Sequence, residues 1–363
     1  MAVKRRPARK KAPVFSPRLR EWIRAFIIAL GLIFIVKWFV FDLRSVADSS
    51  MEMTLTQGDV VVVNKYQYGA RMPMRIFPQS WINILFSTDS LPPVKQLPYW
   101  RFPGNRAPER NDLVLINIPA PHEIAIDRRT EKVKRLVALP GDELTITDGT
   151  LTVNDDAQPQ PVGLQWGFIL ETVRDVDIEE LMVLYDWKEG RRYSGRDRYI
   201  FSFTHEMADS VRKLPEVRSL TRYRPQNDRD FESPFGAIGQ QWKPDQFGPL
   251  KIPYKGFTFR TTQRELLEQY FFLILYHERE SARVINDSLF IEDEFRPAYT
   301  FKNNYYFVLG DNRHNTFDSR LYGLVPENHL IARVSMVLLS FDKEGQWLSR
   351  FRKDRFFRMM IEE

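Results

Sequence analysis

KVKRLVALPGDELTITDGTLTVND, residues 132–155, carries the reading of the fold. Its second half holds two short runs, ELTIT and TLTV, in which apolar residues alternate with threonines around Asp148-Gly149. Alternation of period two argues for half-buried strands, and Asp-Gly between two such runs is the strongest local cue for a hairpin. Its first half, KVKRLVALPG, is another strand-like run closed by Pro140-Gly141. Outward from there, VVVVNKYQYG (60–69), DLVLINIP (112–119), YYFVLGD (305–311) and IARVSMVLLSFD (331–342) have the same character. Beyond residue 41 the chain therefore reads as mainly β.

Between residues 156 and 297 the character changes. Charged and aromatic residues mix, and helical patterns appear near Ile178 to Trp187 and Thr262 to Glu280. The second holds FFLILY (271–276) and opens on a capping-box spacing, Thr262 to Glu265. The expected division is a basic tail at 1–24, a membrane anchor at 25–41, a β-rich core at 42–155 and 298–345, a mixed α+β insertion at 156–297, and a basic, aromatic tail at 346–363.

With 363 residues, 43% of them hydrophobic and 13% aromatic, the chain can bury a sizeable core. The formal charge is +6, but nine Lys and Arg lie in the first 24 residues against Glu21, leaving −2 for the rest. The positive charge is a property of the tail and not of a groove, which argues against a nucleic-acid partner. There is no cysteine, hence no disulfide, thiolate metal site or cysteine nucleophile.

AFIIALGLIFIVKWFVF, Ala25 to Phe41, is apolar except for Lys37. As a helix it spans about 25 Å, close to a ~30 Å hydrocarbon core, with Arg24 and Lys37 placed to snorkel. The basic excess before it predicts a cytoplasmic N-terminus, so that everything after Phe41 lies outside. Ser45-Val46-Ala47 leaves a cleaved signal peptide as the competing reading. The length of the run and the aromatics Trp38, Phe39 and Phe41 at its outer edge favour a retained single-pass anchor.

Chemistry is approached by exclusion. His122, His205, His277, His314 and His329 show no ligand spacing. GDNRHNTFDSR (310–320) lacks the central glycine and the closing glutamate of a calcium loop. No phosphate-cradling glycine motif is present, and no metal or cofactor is expected. Lysine remains. Lys134 shares a strand face with Leu136 and Ala138, and desolvation there would lower its pKa and free the amine as a base. The alternative is an edge strand displaying Lys132, Lys134 and Arg135 to water. SSMEMTLTQG (49–58), just past the apolar run, likewise reads either as a polar linker or as the seat of a serine nucleophile.

Four stretches in order, SSMEMTLTQGDVVVVNKYQYG (49–69), ERNDLVLINIP (109–119), KVKRLVALPGDELTI (132–146) and GDNRHNTFDSRLYGLVPENHLIARV (310–334), resemble the boxes of bacterial type I signal peptidases. These are membrane-anchored Ser/Lys endopeptidases with a β-rich catalytic core, acting at the outer face of the cytoplasmic membrane. The resemblance implies Ser50 as nucleophile and Lys134 as general base. It implies Arg135, Asp311, Thr316, Asp318 and Arg320 as supporting residues, and Met51, Leu55 and Val133 along a cleft for small substrate side chains. The implied partners are signal peptides of secretory preproteins, the lipid bilayer and the secretion translocon. A catalytically silent anchored scaffold on the same fold is the alternative function.

Three positions depart from the family pattern. Met53 stands where the family has proline, His314 where an acidic residue is common, and Asp48 where a small or hydroxyl residue assists the oxyanion hole. An ionised carboxylate at 48 would oppose oxyanion charge. An aspartate that bonds the amide two residues on, as in an Asx turn, is the arrangement expected here.

Overall fold

The computed structural model describes residues 17–72, 98–119, 126–225, 233–236, 241–278, 280–342 and 351–360. Most of the basic tail, part of the C-terminal tail and His122 fall outside them. Helix α1, Pro17–Phe39, is 23 residues long, about 35 Å, enough to cross a bilayer. It begins earlier than the apolar run alone suggests and stops before the run does. Phe41 already belongs to strand β1, Phe41–Ser45, which pairs antiparallel with β2, Asp59–Asn64. Lys65 ties this junction together, its Nζ donating to the Lys37 carbonyl at 3.1 Å and to Asp42 Oδ2 at 2.9 Å.

Among the described residues the largest sheet has eight strands. Its order is β1, β2, Leu330–Ser340, β3 (Leu113–Asn117), β4 (Glu131–Ala138), Tyr305–Leu309 and Val325–Pro326, with Arg358–Met359 beside Leu330–Ser340. The valines of β2 alternate as their spacing predicts, Val61 and Val63 being buried and Val60 and Val62 half-buried. All five residues of β3 are buried, so both faces of the sheet are covered there. On one face Met51, Leu55, Val61, Val63, Leu113 and Leu115 pack together. On the other Val114, Ile116, Leu136, Tyr306 and Val308 do so.

The expected hairpin is present. Strands β5 (Glu143–Thr147) and β6 (Thr150–Val153) pair with Thr147 opposite Thr150. Asp148 and Gly149 both have positive φ, 49° and 78°, the backbone that a two-residue hairpin turn of this hand requires. Gln246–Lys251 and Asp156–Ala157 complete that sheet. A separate four-stranded sheet, Val217–Arg222, Trp166–Thr172, Arg198–Phe203 and Gly190–Ser194, has its own core around Trp166, Phe168, Trp187, Tyr199 and Phe201. The fold is thus mainly β with an N-terminal apolar helix and a mixed α+β segment within the 156–297 span.

Two local expectations need correction. KYQY (65–68), read as part of a strand, is one helical turn, because the Asn64 side chain accepts from the amides of Tyr66 and Gln67 and caps it. The helix of FFLILY runs Arg264–Tyr276 with Gln263 at its N-cap and no side-chain capping bond. The Gln263 amide donates to Arg260 O at 3.1 Å, so the chain is still turning at Thr262, and the capping-box spacing misses the helix start by one residue.

Candidate active site

Lys134 lies in β4, which is internal: Lys134 stands opposite Val114 of β3 on one side, and its neighbour Arg135 pairs with Leu309 on the other. The edge-strand reading of Lys134 is thereby excluded. Its side chain is 1% exposed, and the chain direction aims its ammonium at the turn that follows β1. That turn, residues 48–55, is anchored by Met51 and Leu55, whose side chains are buried against β2 and β3. It is closed by hydrogen bonds from Glu52 N to Ser49 O, Thr54 N to Met51 O and Leu55 N to Met51 O. Ser50 is held at its apex with its Oγ accepting from Lys134 Nζ at 2.6 Å.

The loop after Tyr305–Leu309 supplies the rest. Thr316 Oγ1 accepts from Lys134 Nζ at 2.8 Å. Asn312 N donates to Ser50 O at 3.0 Å, and Asp311 N lies 3.4 Å from Met51 Sδ, joining this loop to the serine turn. Asp311 receives both nitrogens of the Arg135 fork, at 2.8 and 2.7 Å, and the Thr54 hydroxyl at 2.6 Å. Asp318 is bound by Arg320 through Nε and Nη2 at 3.0 and 2.9 Å, and accepts from Gly310 N. Asp311, Asp318 and Arg320 are all buried, where such forked pairs hold their geometry. Met51, Leu55 and Val133, expected along a cleft, share one apolar cluster: Met51 and Leu55 are buried, and Val133 is half-buried against them.

Burial is the main influence on Lys134 and pushes its amine down to about 8, against the charges of Asp318 and Asp48, which raise it. Such a group is available as the neutral base near neutral pH, and Ser50 Oγ is the hydroxyl within its reach.

Two contacts were not anticipated from the chain. Asp48 bonds the Ser50 amide as an Asx turn does, at 3.0 Å, but its Oδ1 also accepts from Ser50 Oγ at 2.6 Å, and its other oxygen pairs with Lys132. The period-two spacing of Lys132 and Lys134 is the signal that places both on one face of β4. Glu189, from the 156–297 span, accepts from Asn312 Nδ2 at 3.1 Å and Asn315 Nδ2 at 2.6 Å, beside Ser49. His314 is a structural link, its Nδ1 accepting from Gly167 N at 3.0 Å and its Nε2 contacting Asp245.

The profile of the family described as "Signal peptidase, peptidase S26" matches residues 19–167 and 274–339, more than half of the chain. Signal peptidase I of Buchnera aphidicola subsp. Baizongia pistaciae is 23% identical over 354 residues, covering 95% of this chain and 86% of its own. Signal peptidase I of Haemophilus influenzae is 24% identical over 339 residues, covering 93% and 74%. A crystal structure of a signal peptidase I from Enterococcus faecalis V583 matches over 63% of this chain and 98% of its own at 14% identity, with a TM-score of 0.24. The matched ranges take in all four boxes that meet around Ser50 and Lys134: the chain belongs to the signal peptidase family, peptidase S26, and is a serine endopeptidase.

Proposed function

We propose that this chain is a membrane-anchored Ser/Lys endopeptidase that removes signal peptides from exported preproteins at the outer face of the cytoplasmic membrane. The observation that carries the reading is the 2.6 Å contact between a buried amine with lowered pKa and the Ser50 hydroxyl. Neutral Lys134 takes the Ser50 proton as Oγ bonds to the scissile carbonyl carbon and the C=O pair moves onto oxygen. The Ser50 amide donates to that oxyanion. Collapse expels the new amine of the mature protein, which takes the proton back from Lys134. Water, deprotonated by Lys134, then attacks the acyl carbonyl, Lys134 returns that proton to Ser50 Oγ as its bond to the acyl carbon breaks, and the signal peptide leaves with a free carboxylate.

Thr316 orients the lysine, the Arg135–Asp311 pair locks the serine turn through Thr54, and Asp318 with Arg320 braces the loop at Gly310. We assign the small-residue cleft to Met51, Leu55 and Val133, and peptide binding there to an extended, strand-like mode. The apolar helix Pro17–Phe39 supports single-pass anchoring, with the basic tail inside and the β-rich core outside. Residues 156–297 are then an insertion in that core.

The test is incubation of a purified preprotein with the full chain in detergent, followed by N-terminal analysis of the product. The wild type is expected to cut after an Ala-x-Ala segment and Ser50→Ala to leave the precursor intact. Equal cleavage by both would reject the reading, and a silent scaffold would show none with either.

A further inference from the structure

Ser50 is held from two sides. On one side is Lys134; on the other, Asp48 Oδ1 lies 3.0 Å from the Ser50 amide nitrogen and 2.6 Å from its Oγ. An oxyanion stabilised by that amide would sit ~2.7–3.1 Å from the nitrogen. The carboxylate oxygen therefore stands where a substrate's carbonyl oxygen has to come. The Ser50 hydroxyl also donates to Asp48, not to Lys134, so the proton is aimed away from its acceptor. Burial pushes the Asp48 carboxyl up, but hydrogen bonds from Lys132 and Ser50 and the charge of Lys134 outweigh it and hold the group below its ordinary value. An ionised carboxylate in this place blocks the hole and repels the charge the hole must receive.

The same side chain has a second partner. Asp48 Oδ2 pairs with Lys132 Nζ, and the two side chains remain 34% and 28% exposed, so the carboxylate has solvent-side room in which to turn. Asp48 belongs to the turn and Lys132 to β4, two residues before Lys134 on the same face.

We infer that Asp48 and Lys132 form a substrate-operated latch on the oxyanion position of this enzyme. The inference rests on the assignment of Ser50 and Lys134 proposed above. In the free enzyme Asp48 bridges the Ser50 amide and hydroxyl. As the scissile carbonyl enters, the carboxylate swings off Ser50 and is retained by Lys132, the amide is released to the substrate, and the Ser50 O–H turns to Lys134. Proton and electron movements are then those of acylation, with nothing added. Lys132 is a positioning residue: it holds the carboxylate aside and balances its charge while the oxyanion exists. A serine or glycine at 48 would need no such partner.

The latch has a kinetic and a titration signature. A site competent for only a fraction of the time has its apparent affinity reduced by that fraction. The charged groups around the Lys134 amine are Asp48, Lys132, Asp318 and Arg320, with Ser50 and Thr316 as its neutral partners. Removing the Asp48 charge shifts the lysine's titration to lower pH, and removing the Lys132 charge shifts it to higher pH. These two shifts report the charges around Lys134, and the mark of the latch is the suppression of the Lys132→Met loss when Asp48 is also removed.

The experiment is the pH profile of kcat/KM for an Ala-x-Ala peptide with the full chain in detergent, for Asp48→Ala, Lys132→Met and the double variant. Wild type and Ser50→Ala serve as references. Asp48→Ala is expected to raise kcat/KM about tenfold, chiefly through KM, and Lys132→Met to lower it about tenfold. In the double variant the damage of Lys132→Met should be suppressed, because there is no carboxylate left to retain. Asp48→Asn, which keeps the turn's acceptor oxygen but not its charge, should shift the pH limb in the same direction as Asp48→Ala and covers the case of a poorly folding alanine variant. A double variant no better than Lys132→Met, or a loss beyond tenfold in both Asp48 variants, would overturn the latch. Ser50→Ala cleaving like wild type would overturn the nucleophile assignment with it, whereas failure of the latch alone leaves that contrast intact.

Discussion

A β-carbon added to Gly310 would fall 2.2 Å from Thr316 Oγ1, far inside contact distance, and 2.7 Å from the Ser50 carbonyl oxygen. At Gly310 the loop carrying Thr316 lies against the Ser50 turn with no room for a side chain. Its amide is at the same time fixed by Asp318 at 3.2 Å. Small size, not conformational freedom, is what the site requires there.

Gly310→Ala should consequently displace the threonine from Lys134, and a shift of about 1 Å in such a constellation costs on the order of a hundredfold in rate. Steady-state kinetics with a folded-state check by circular dichroism would measure it. Thr316→Ser, which keeps the hydroxyl, should stay within about tenfold of wild type, whereas Thr316→Val should not. An active Gly310→Ala enzyme would mean that this loop can yield without consequence.

With Lys134 as the proposed base, its amine sets the expected pH dependence. Burial lowers it to about 8, so kcat/KM should rise with pH through a limb near that value. The consequence for stability has the same sign. The folded pKa lies below the ~10.4 of an exposed lysine, so between the two values the unfolded chain binds more protons, and stability rises with pH across that window. Below the window the cost of burying the charge is fully present. Lys134→Met should thus abolish cleavage and yet stabilise the fold at pH 7 by on the order of 2 kcal/mol, read as a higher Tm. A variant less stable than wild type at pH 7 would show that the lysine's hydrogen bonds outweigh its desolvation.

Met53 stands where the family has proline, and its φ is +69°. A proline ring holds φ near −65°, so the family residue does not fit this backbone. Met53→Pro is expected to destabilise by more than ~1 kcal/mol and to reduce activity by disturbing the turn from Ser49 to Leu55. Met53→Gly, which removes the Cβ clash of the left-handed conformation, should be neutral or stabilise by up to ~1 kcal/mol. Urea unfolding of the three proteins separates these outcomes, and a stabilising proline would contradict the turn geometry.

What could be read from the chain alone was mostly local. The β5–β6 hairpin is encoded within eleven residues by alternation and by Asp148-Gly149, and its backbone has the expected sign at both turn positions. Ser50 and Lys134 lie 84 positions apart, and no spacing rule links them; only the resemblance of whole boxes brought them together, and the structure puts them 2.6 Å apart. Strand β1 was hidden because FVF extends the apolar run without a break, whereas the helix ends where Phe41 begins to pair with Asn64. Lys132 looked like a solvent-facing edge residue until the register of β3, β4 and Tyr305–Leu309 made β4 internal and set its amine against Asp48. Glu189 could not be found at all, since its contacts with Asn312 and Asn315 span more than a hundred residues.

The central claim is that Ser50 and Lys134 act as one catalytic unit, and a double-mutant cycle on preprotein cleavage tests it most directly. Ser50→Ala, Lys134→Ala and the double variant should lose activity to nearly the same level, because residues that work as a unit are far from additive. Additive losses, or Lys134→Ala retaining activity within about tenfold of wild type, would contradict it.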